Sequence, residues 1–199
     1  MRLMLTVAAM CLALPVAAAD VGFLPEPNES VLMLSGKIEK GDAARFRSAL
    51  ASRHVYQRIV LDSPGGDFSE SIEIAEAIYM AGLATIAPMT DICTPSEDST
   101  CVCAASCFFI WAAGRPRFGN AVLIRSPFDA AHPANRAKGA AATALIQSTL
   151  RKFGVPEMVV QAVIDTPFQS PRRLTEEELQ AMQPFTYVPD DEPDKGKVP

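Results

Sequence analysis

The sequence predicts an α/β domain with a largely parallel sheet. Short apolar runs alternate with segments of helical period, which is the order typical of such domains. One run, Ile59–Leu61, is apolar throughout, as expected for a strand that is covered on both faces. The turn Ser63–Gly66 follows it, and apolar positions at helical spacing then predict a helix that stops before Gly82. The chain of 199 residues is long enough for one domain with a substantial core.

The remaining elements follow from the same patterns. Further strands are predicted at the apolar runs Val31–Leu34, Leu83–Ala87 and Ala121–Ile124. Further helices are predicted from Asp42 as N-cap, over Ala104–Ala113, from Pro133 to Phe153, and over Glu157–Ile164. Thr175 and Glu178 have the spacing of a capping box, which predicts one more helix start.

Both ends of the chain are expected to lie outside this domain. Residues 1–19 contain Arg2, an apolar core and an A-x-A site before Asp20, which predicts a cleaved secretory signal and a periplasmic or secreted location. The apolar core is shorter than the roughly 20 residues of a membrane span, so no stable membrane anchor is expected after cleavage. Residues 20–30 are expected to form an irregular lead-in, residues 31–187 the domain, and residues 188–199 a disordered tail.

The charge of the chain gives no reason to expect a nucleic-acid partner. Lys and Arg number 18, Asp and Glu number 23, and the formal net charge is -5. Basic tracts, which hold a phosphate backbone, are absent from the sequence. A phosphate-binding G-x-x-x-x-G-K loop is absent as well, and no cofactor is expected.

Four cysteines lie close together after the predicted cleavage site: Cys93, Cys101, Cys103 and Cys107. An even number in an exported chain favours two disulfides, for which three pairings exist. Cys103 and Cys107 are spaced i, i+4 on one face of the predicted helix, so they can pair if the helix start is distorted. Cys93 and Cys101 would then close the loop between them. A four-cysteine zinc site is the alternative, although its usual C-x2-C pairs are missing.

The order of elements resembles that of the ClpP/crotonase superfamily. The resemblance is carried by Ser63–Gly66 after a buried strand and by the apolar helix that ends at Gly114. More closely, the chain resembles exported ClpP-like proteins with a C-x-S-A-C segment, which Cys103–Cys107 approaches. The resemblance covers roughly Val31–Leu179. It implies a repeated β-β-α spiral core with a mostly parallel sheet flanked by helices.

The resemblance also implies a serine peptidase site. In the family, the glycine turn supplies an oxyanion hole and a serine of the next helix attacks a peptide carbonyl. Gly65 and Gly66 match the oxyanion turn. With the two cysteines in register, Ala105 occupies the serine position, and Ser106 is rotated by about 100° away from the turn. The segment Ala-Ala-Ser also resembles the sequence around the ClpP serine, which instead makes Ser106 the nucleophile.

The proton-transfer residues depart from the family pattern. Arg125 follows the strand that should end in the catalytic histidine, and arginine cannot act as a general base. The two histidines of the chain are His54, expected at the surface, and His132, the candidate for a relocated base. Lys138 is a further candidate base, and Asp165 is the candidate acidic member of a triad.

Four hypotheses about function follow. The first is a degenerate ClpP-like protein that binds peptide or protein through the glycine turn and Arg125. The second is a serine hydrolase that uses Ser106, His132 and Asp165. The third is a crotonase-like enzyme that stabilises an enolate, which conflicts with export because acyl-CoA substrates are cytoplasmic. The fourth is that the turn has only a structural role. Oligomers are common in the superfamily, so a homo-oligomer is also an expectation.

Overall fold

The computed structural model describes residues 20–23, 31–52, 57–96, 99–129 and 133–182. The predicted signal, the tail from residue 188, His54 and His132 lie outside these ranges. The strands are β1 Asp20–Phe23, β2 Val31–Ser35, β3 Arg58–Asp62, β4 Ala84–Ile86, β5 Cys103–Ala104, β6 Arg117–Phe118, β7 Val122–Ile124 and β8 Arg172–Arg173. The helices are α1 Asp42–Ser52, α2 Phe68–Ala81, α3 Cys107–Ala113, α4 Pro133–Lys152, α5 Glu157–Asp165 and α6 Glu176–Met182.

The strands form two sheets. The larger has the order β1-β2-β3-β4-β6, in which β1 pairs antiparallel with β2 and the other pairings are parallel. The smaller has the order β5-β7-β8, with a parallel and an antiparallel pairing. The predicted α/β class with a mostly parallel sheet flanked by helices is confirmed, and the second sheet is an addition to it.

Helix α2 begins and ends at the residues that its local sequence indicates. The carboxylate of Asp67 accepts a hydrogen bond from the Glu70 amide at 3.0 Å, which satisfies one of the free donors of the first turn. Gly82 ends the helix in the left-handed conformation, with φ of 64°. The capping box of α6 is also present. The Glu178 carboxylate accepts a hydrogen bond from the Thr175 amide, and the Thr175 hydroxyl accepts one from the Glu178 amide.

Helix α3 lies at the centre of the core. All seven of its residues are buried, including Phe108, Phe109 and Trp111. A helix that is apolar on every side requires neighbours on every side, and α3 contacts α2, α4 and both sheets. The turn that leads into this helix is therefore anchored to a tightly packed element of the core.

Arg117 joins the C-terminal ends of three helices. Its guanidinium donates to the carbonyls of Ala112 at 2.8 Å, Phe153 at 2.7 Å and Met182 at 3.0 Å. These carbonyls lie at the C-terminal ends of α3, α4 and α6. A positive charge is stabilising there, because the helix dipole gives that end a partial negative charge. Burial, and after it the charge of Arg115, lowers the pKa of Arg117 to about 10. The side chain is therefore still charged at neutral pH.

Several expectations about local structure are wrong. The predicted irregular lead-in is a strand at Asp20–Phe23, which pairs with β2 and so gains order from a partner distant in sequence. Helix α3 begins at Cys107 rather than at Ala104, because residues 103–104 pair with β7 instead. The short strands β6 and β8 were also not expected, since two-residue strands have no periodicity to detect. Within the described ranges, none of the helices has the length and apolarity needed to cross a bilayer.

Candidate functional site

The glycine turn after β3 is packed too tightly for any other residue. Gly65 has φ of 90°, and a Cβ there would lie 2.5 Å from the Ala104 carbonyl oxygen. Gly66 has φ of 155°, and a Cβ there would lie 2.0 Å from the carbonyl oxygen of Ile38. Gly65 accepts a hydrogen bond from the Ile38 amide at 3.0 Å, so the turn is fastened to the loop before α1. Both glycines are therefore required by sterics.

A second strand-turn-helix unit faces this turn. Strand β5 leads into Ala105, which has φ of 54°, and α3 begins two residues later. A positive φ is rare for a residue with a side chain, and a strained residue between strand and helix is the geometry of a nucleophile elbow. The amide of Ala105 donates to the Leu123 carbonyl at 3.0 Å, and the Cys103–Cys107 disulfide spans the turn. An alanine methyl, which has no nucleophilic atom, thus occupies the elbow.

Ser106 lies against the glycine turn. Its Oγ accepts a hydrogen bond from the Gly66 amide at 2.7 Å and donates to the Gly66 carbonyl at 3.2 Å. The residue is 3% exposed. The neighbouring Gly65 amide donates to the Ser63 hydroxyl at 3.1 Å. Both amides of the turn therefore donate to hydroxyl groups of the chain itself in this conformation.

The sequence leaves two orientations open for Ser106, and the structure places its hydroxyl against the glycine turn. With Ala105 at the serine position, helical geometry turns Ser106 away from the glycines, but the structure places it on Gly66. The rotation of about 100° per residue applies only inside a helix. Ala105 has a positive φ and Ser106 precedes the first helical residue, so neither obeys that rule. Ala105 lies against Gly65 and Ser106 against Gly66, and both residues contact the turn.

Arg125 directly follows strand β7, at the position where the resemblance predicts a histidine. One guanidinium nitrogen donates to the Phe168 carbonyl at 3.0 Å, and the guanidinium carbon lies 4.3 Å from the centre of the Phe168 ring. This contact combines a hydrogen bond with a cation–π interaction. It directs the half-buried charge toward the segment after α5, and within the described ranges no hydrogen bond joins Arg125 to the glycine turn.

The other candidate catalytic residues are not brought to Ser106. Asp165 is exposed at the end of α5, where its carboxylate accepts from the Gln161 side chain at 2.9 Å. In the described part of the chain, no hydrogen bond links it to Ser106. His132 lies outside that part, and so does the side chain of Lys138. The structure thus unites Ser106 with the glycine turn but does not bring Asp165 into contact with them.

An apolar cleft of about 460 Å³ opens beside the glycine turn. Its lining is Asp67, Phe68, Ser69, Ile72, Phe128 and Leu145. The ring of Phe68 packs edge-on against those of Phe109 and Phe128, at centroid distances of 5.0 and 5.3 Å, so the wall is rigid. Sequence reasoning missed this cleft. The available signal was the apolar Phe68 at the first position of a helix that follows the turn directly.

The cysteines form the two disulfides that the spacing favours. Cys93 pairs with Cys101, and Cys103 pairs with Cys107, with Cα–Cα distances of 5.7 and 5.3 Å. The zinc alternative is wrong, because the bridges leave none of these four thiolates to bind a metal. The second bridge forms because Cys103 lies in a strand and Cys107 opens the helix, rather than because they share a helix face.

The chain was compared with known proteins. No protein-family model matches it, and no curated protein is significantly similar to it.

Proposed function

We propose that this chain is an exported, ClpP-like protein that binds peptide segments without hydrolysing them. The resemblance of its elements to the ClpP/crotonase superfamily and the two disulfides, which are typical of exported proteins, support this class and a periplasmic or secreted location. The ClpP-like spiral and a homo-oligomer remain part of the proposal.

The pairing of Ser106 with Gly66 carries the proposal. A serine nucleophile must donate its proton to a base, whereas the Ser106 hydroxyl donates to a backbone carbonyl. The oxyanion of a peptidase needs vacant amide donors, whereas the Gly66 amide already donates to Ser106. Arg125 stands where the resemblance predicts the base, and an arginine stays protonated. The hydroxyl and the amide that a hydrolytic site would use are thus bonded to each other, and the expected base is an arginine.

The cleft beside the turn supports binding of an apolar peptide side chain. Its volume falls within the range of ligand pockets, and its walls are mainly aromatic and aliphatic. Leu145 lines the cleft and is 48% exposed, so it is accessible to a ligand. Met158 on α5 is 44% exposed and does not line the cleft, which makes it a matched control.

The test is fluorescence anisotropy with short fluorescein-labelled peptides that carry a central Leu or Phe. We expect binding by the oxidised chain, intact peptide in the mass spectrum afterwards, and binding weakened by about tenfold or more in Leu145→Asp. Met158→Asp should bind as the unaltered chain does. Absence of binding, or equal binding by Leu145→Asp, would contradict peptide binding in the cleft. Cleaved peptide would contradict the non-hydrolytic function.

A serine hydrolase is the second candidate, and one observation favours it. The Ser106 hydroxyl lies at the glycine turn, which is where a nucleophile beside an oxyanion hole belongs. Such an enzyme would need His132 as its base and a change of conformation that releases Ser106 from Gly66. Hydrolysis of the same peptides that is abolished by both Ser106→Ala and His132→Ala would establish this candidate in place of the first.

A further inference from the structure

Asp62 is a buried carboxylate that the proposed function does not use. It is the last residue of β3 and is only 6% exposed. The Thr100 hydroxyl donates a hydrogen bond to its Oδ1 at 2.7 Å. Within the described ranges, its Oδ2 accepts no hydrogen bond and no Lys or Arg forms an ion pair with it. Because a buried carboxylate is costly without a cation beside it, Asp62 is suited to pair with a cation from outside the chain.

The side chain of Asp62 lies on the face of the larger sheet that is directed away from α3. Successive side chains of a strand point to opposite faces, so Asp62 shares a face with Val60. Leu61, between them, is fully buried on the other face. Strand pairing places Thr85 on the same face as Leu61, and its hydroxyl donates to the Trp111 carbonyl of α3 at 2.7 Å. The carboxylate is therefore separated from the glycine turn and the helices by the sheet.

A cleft of about 360 Å³ opens over this face and reaches Asp62, and we call it the Asp62 cleft. Its walls are mainly apolar, and among them are Met33, Val60, Ile86, Met89 and Ile92. Ile92 is 75% exposed, so the cleft is accessible from solvent. Sites for small molecules are typically apolar clefts of such a volume, in which a few polar groups fix the orientation of the ligand. Asp62 is such a polar group.

The Asp62 cleft lies at the carboxyl ends of parallel strands. Strand β3 ends at Asp62 and β4 at Ile86, and Pro88, just after β4, also lines the cleft. Open α/β sheets bind their ligands in crevices at the carboxyl ends of the strands. The position of the cleft in the fold therefore agrees with a ligand site.

Arg58 limits the charge that a ligand can carry. It lies four residues before Asp62 on the same face, which is about 13 Å along the strand. It lines an adjoining cleft of about 150 Å³ together with Ile86, Met89 and Phe118. A second positive charge on a ligand of Asp62 would point toward Arg58 and into apolar surroundings, and both disfavour it. The surface therefore favours one positive end and an apolar remainder.

We infer that the Asp62 cleft binds a small aliphatic amine, with the ammonium group on Asp62 and the alkyl chain along Val60 and Ile86. An ammonium group donates charge-assisted hydrogen bonds to a carboxylate, which are roughly twice as strong as neutral ones. Val60 lies two residues, or about 7 Å, from Asp62, so an alkyl chain such as that of hexylamine covers the apolar wall. A divalent metal fits the cleft less well, because it requires several oxygen ligands and the walls are mainly hydrocarbon.

The test is an NMR titration of the oxidised chain with labelled Ile methyl groups. We expect hexylammonium to shift the methyl signals of Ile86 and Ile92 to saturation at or below about 10 mM. Hexanol, which has the same chain without the charge, and hexanoate, which has the opposite charge, should bind about tenfold or more weakly. The diamine of the same chain length should also bind more weakly, because its second charge meets apolar walls.

Two kinds of variant locate the ammonium group. Asp62→Asn removes the charge but keeps an oxygen that accepts from Thr100, and it should weaken hexylammonium binding by about tenfold or more. Ile92→Lys puts a positive charge at the exposed rim of the cleft and should weaken binding as well. Met80→Lys is the matched control, because Met80 is also 75% exposed but lies on α2, outside the cleft. This pair decides the matter if Asp62→Asn does not fold.

Three results would overturn the inference. The first is the absence of methyl shifts with hexylammonium up to about 10 mM. The second is equal binding of hexylammonium and hexanol, or of hexylammonium by Asp62→Asn and the unaltered chain, which would leave the carboxylate without a role. The third is binding of a lysine-containing peptide but not of hexylammonium, which would make the ligand a protein side chain. Leu145 does not line the Asp62 cleft, so each of these results leaves the proposed function untouched.

Discussion

The hydroxyl of Ser106 and the backbone of Gly66 hold each other through two hydrogen bonds. The oxygen accepts from the Gly66 amide at 2.7 Å, and the hydroxyl donates to the Gly66 carbonyl at 3.2 Å. This pair joins the turn after β3 to the start of α3, two segments 40 residues apart in the chain. Ser106, whose residue type suggests catalysis, thus holds two turns of the chain together.

The steric limit at Gly66 can be tested against a glycine in open surroundings. Gly66→Ala should lower the free energy of unfolding by about 3 kcal/mol, because it combines backbone strain with overpacking against the Ile38 carbonyl. Gly82→Ala should cost only about 1 kcal/mol, since φ is 64° but nothing lies within 4 Å of the added Cβ. Urea unfolding measures the free energy of unfolding of both variants. Equal losses of stability would contradict the close contact between Gly66 and the Ile38 carbonyl.

Arg117 should be far more important for stability than its neighbour Arg115. Arg117→Met leaves three buried helix-end carbonyls without a donor, so we expect a loss of about 3 kcal/mol or more. Arg115→Met removes an exposed cation 4.5 Å from the Tyr79 ring centre and should cost less than about 1 kcal/mol. Similar midpoints of urea unfolding for the two variants would show that the hydrogen bonds of Arg117 to the three helix ends do not stabilise the fold.

Stability should fall in acid partly because of Glu178. Hydrogen bonds from Arg172 are the main cause that lowers the pKa of Glu178 below its ordinary value of 4.5, with the Thr175 amide and hydroxyl adding to it. A carboxyl whose pKa is lowered on folding contributes stability above the unfolded-state pKa and loses it as the pH falls through the folded-state pKa. Glu178→Gln should therefore be less stable than the unaltered chain at pH 7.

The difference between the two chains should shrink below pH 4.5 and vanish when Glu178 is protonated. Thermal unfolding at a series of pH values measures this. A difference that stays constant down to the lowest pH would mean that the ion pair with Arg172 is not the source of the stability.

The disulfide pairing can be read directly by mass spectrometry of the unreduced, digested protein. We expect one bridge between Cys93 and Cys101 and one between Cys103 and Cys107. Reduction should release both, with a mass gain of two hydrogens for each bridge. Four free thiols, or a bridge that joins the two pairs, would contradict the structure at the elbow.

Features set by nearby residues could be predicted from the sequence. Helix α2 ends before Gly82 as predicted, because a helix end depends on the few residues around it. The capping box of α6 follows from Thr175 and Glu178 for the same reason. The glycine turn and the cysteine pairing were also accessible, since both rest on short-range spacing.

Features set by distant partners could not be predicted. Strand β5 exists because Cys103 pairs with Val122, and this pairing gives Ala105 its positive φ and turns Ser106 toward Gly66. Arg117 meets three helix ends only after the core has assembled. Ser106 and the glycines of the turn could therefore be singled out from the sequence, but the hydrogen bonds between them and the cleft beside them could not.

The most direct test of the central claim is labelling of the oxidised chain with a fluorophosphonate probe, followed by peptide mapping. We expect no adduct on Ser106, because its proton is donated to the Gly66 carbonyl and its side chain is buried. A known serine hydrolase in the same tube confirms that the probe is active, and circular dichroism confirms that the chain is folded. A stoichiometric adduct on Ser106 that is lost in Ser106→Ala would contradict the non-hydrolytic function and establish a working nucleophile.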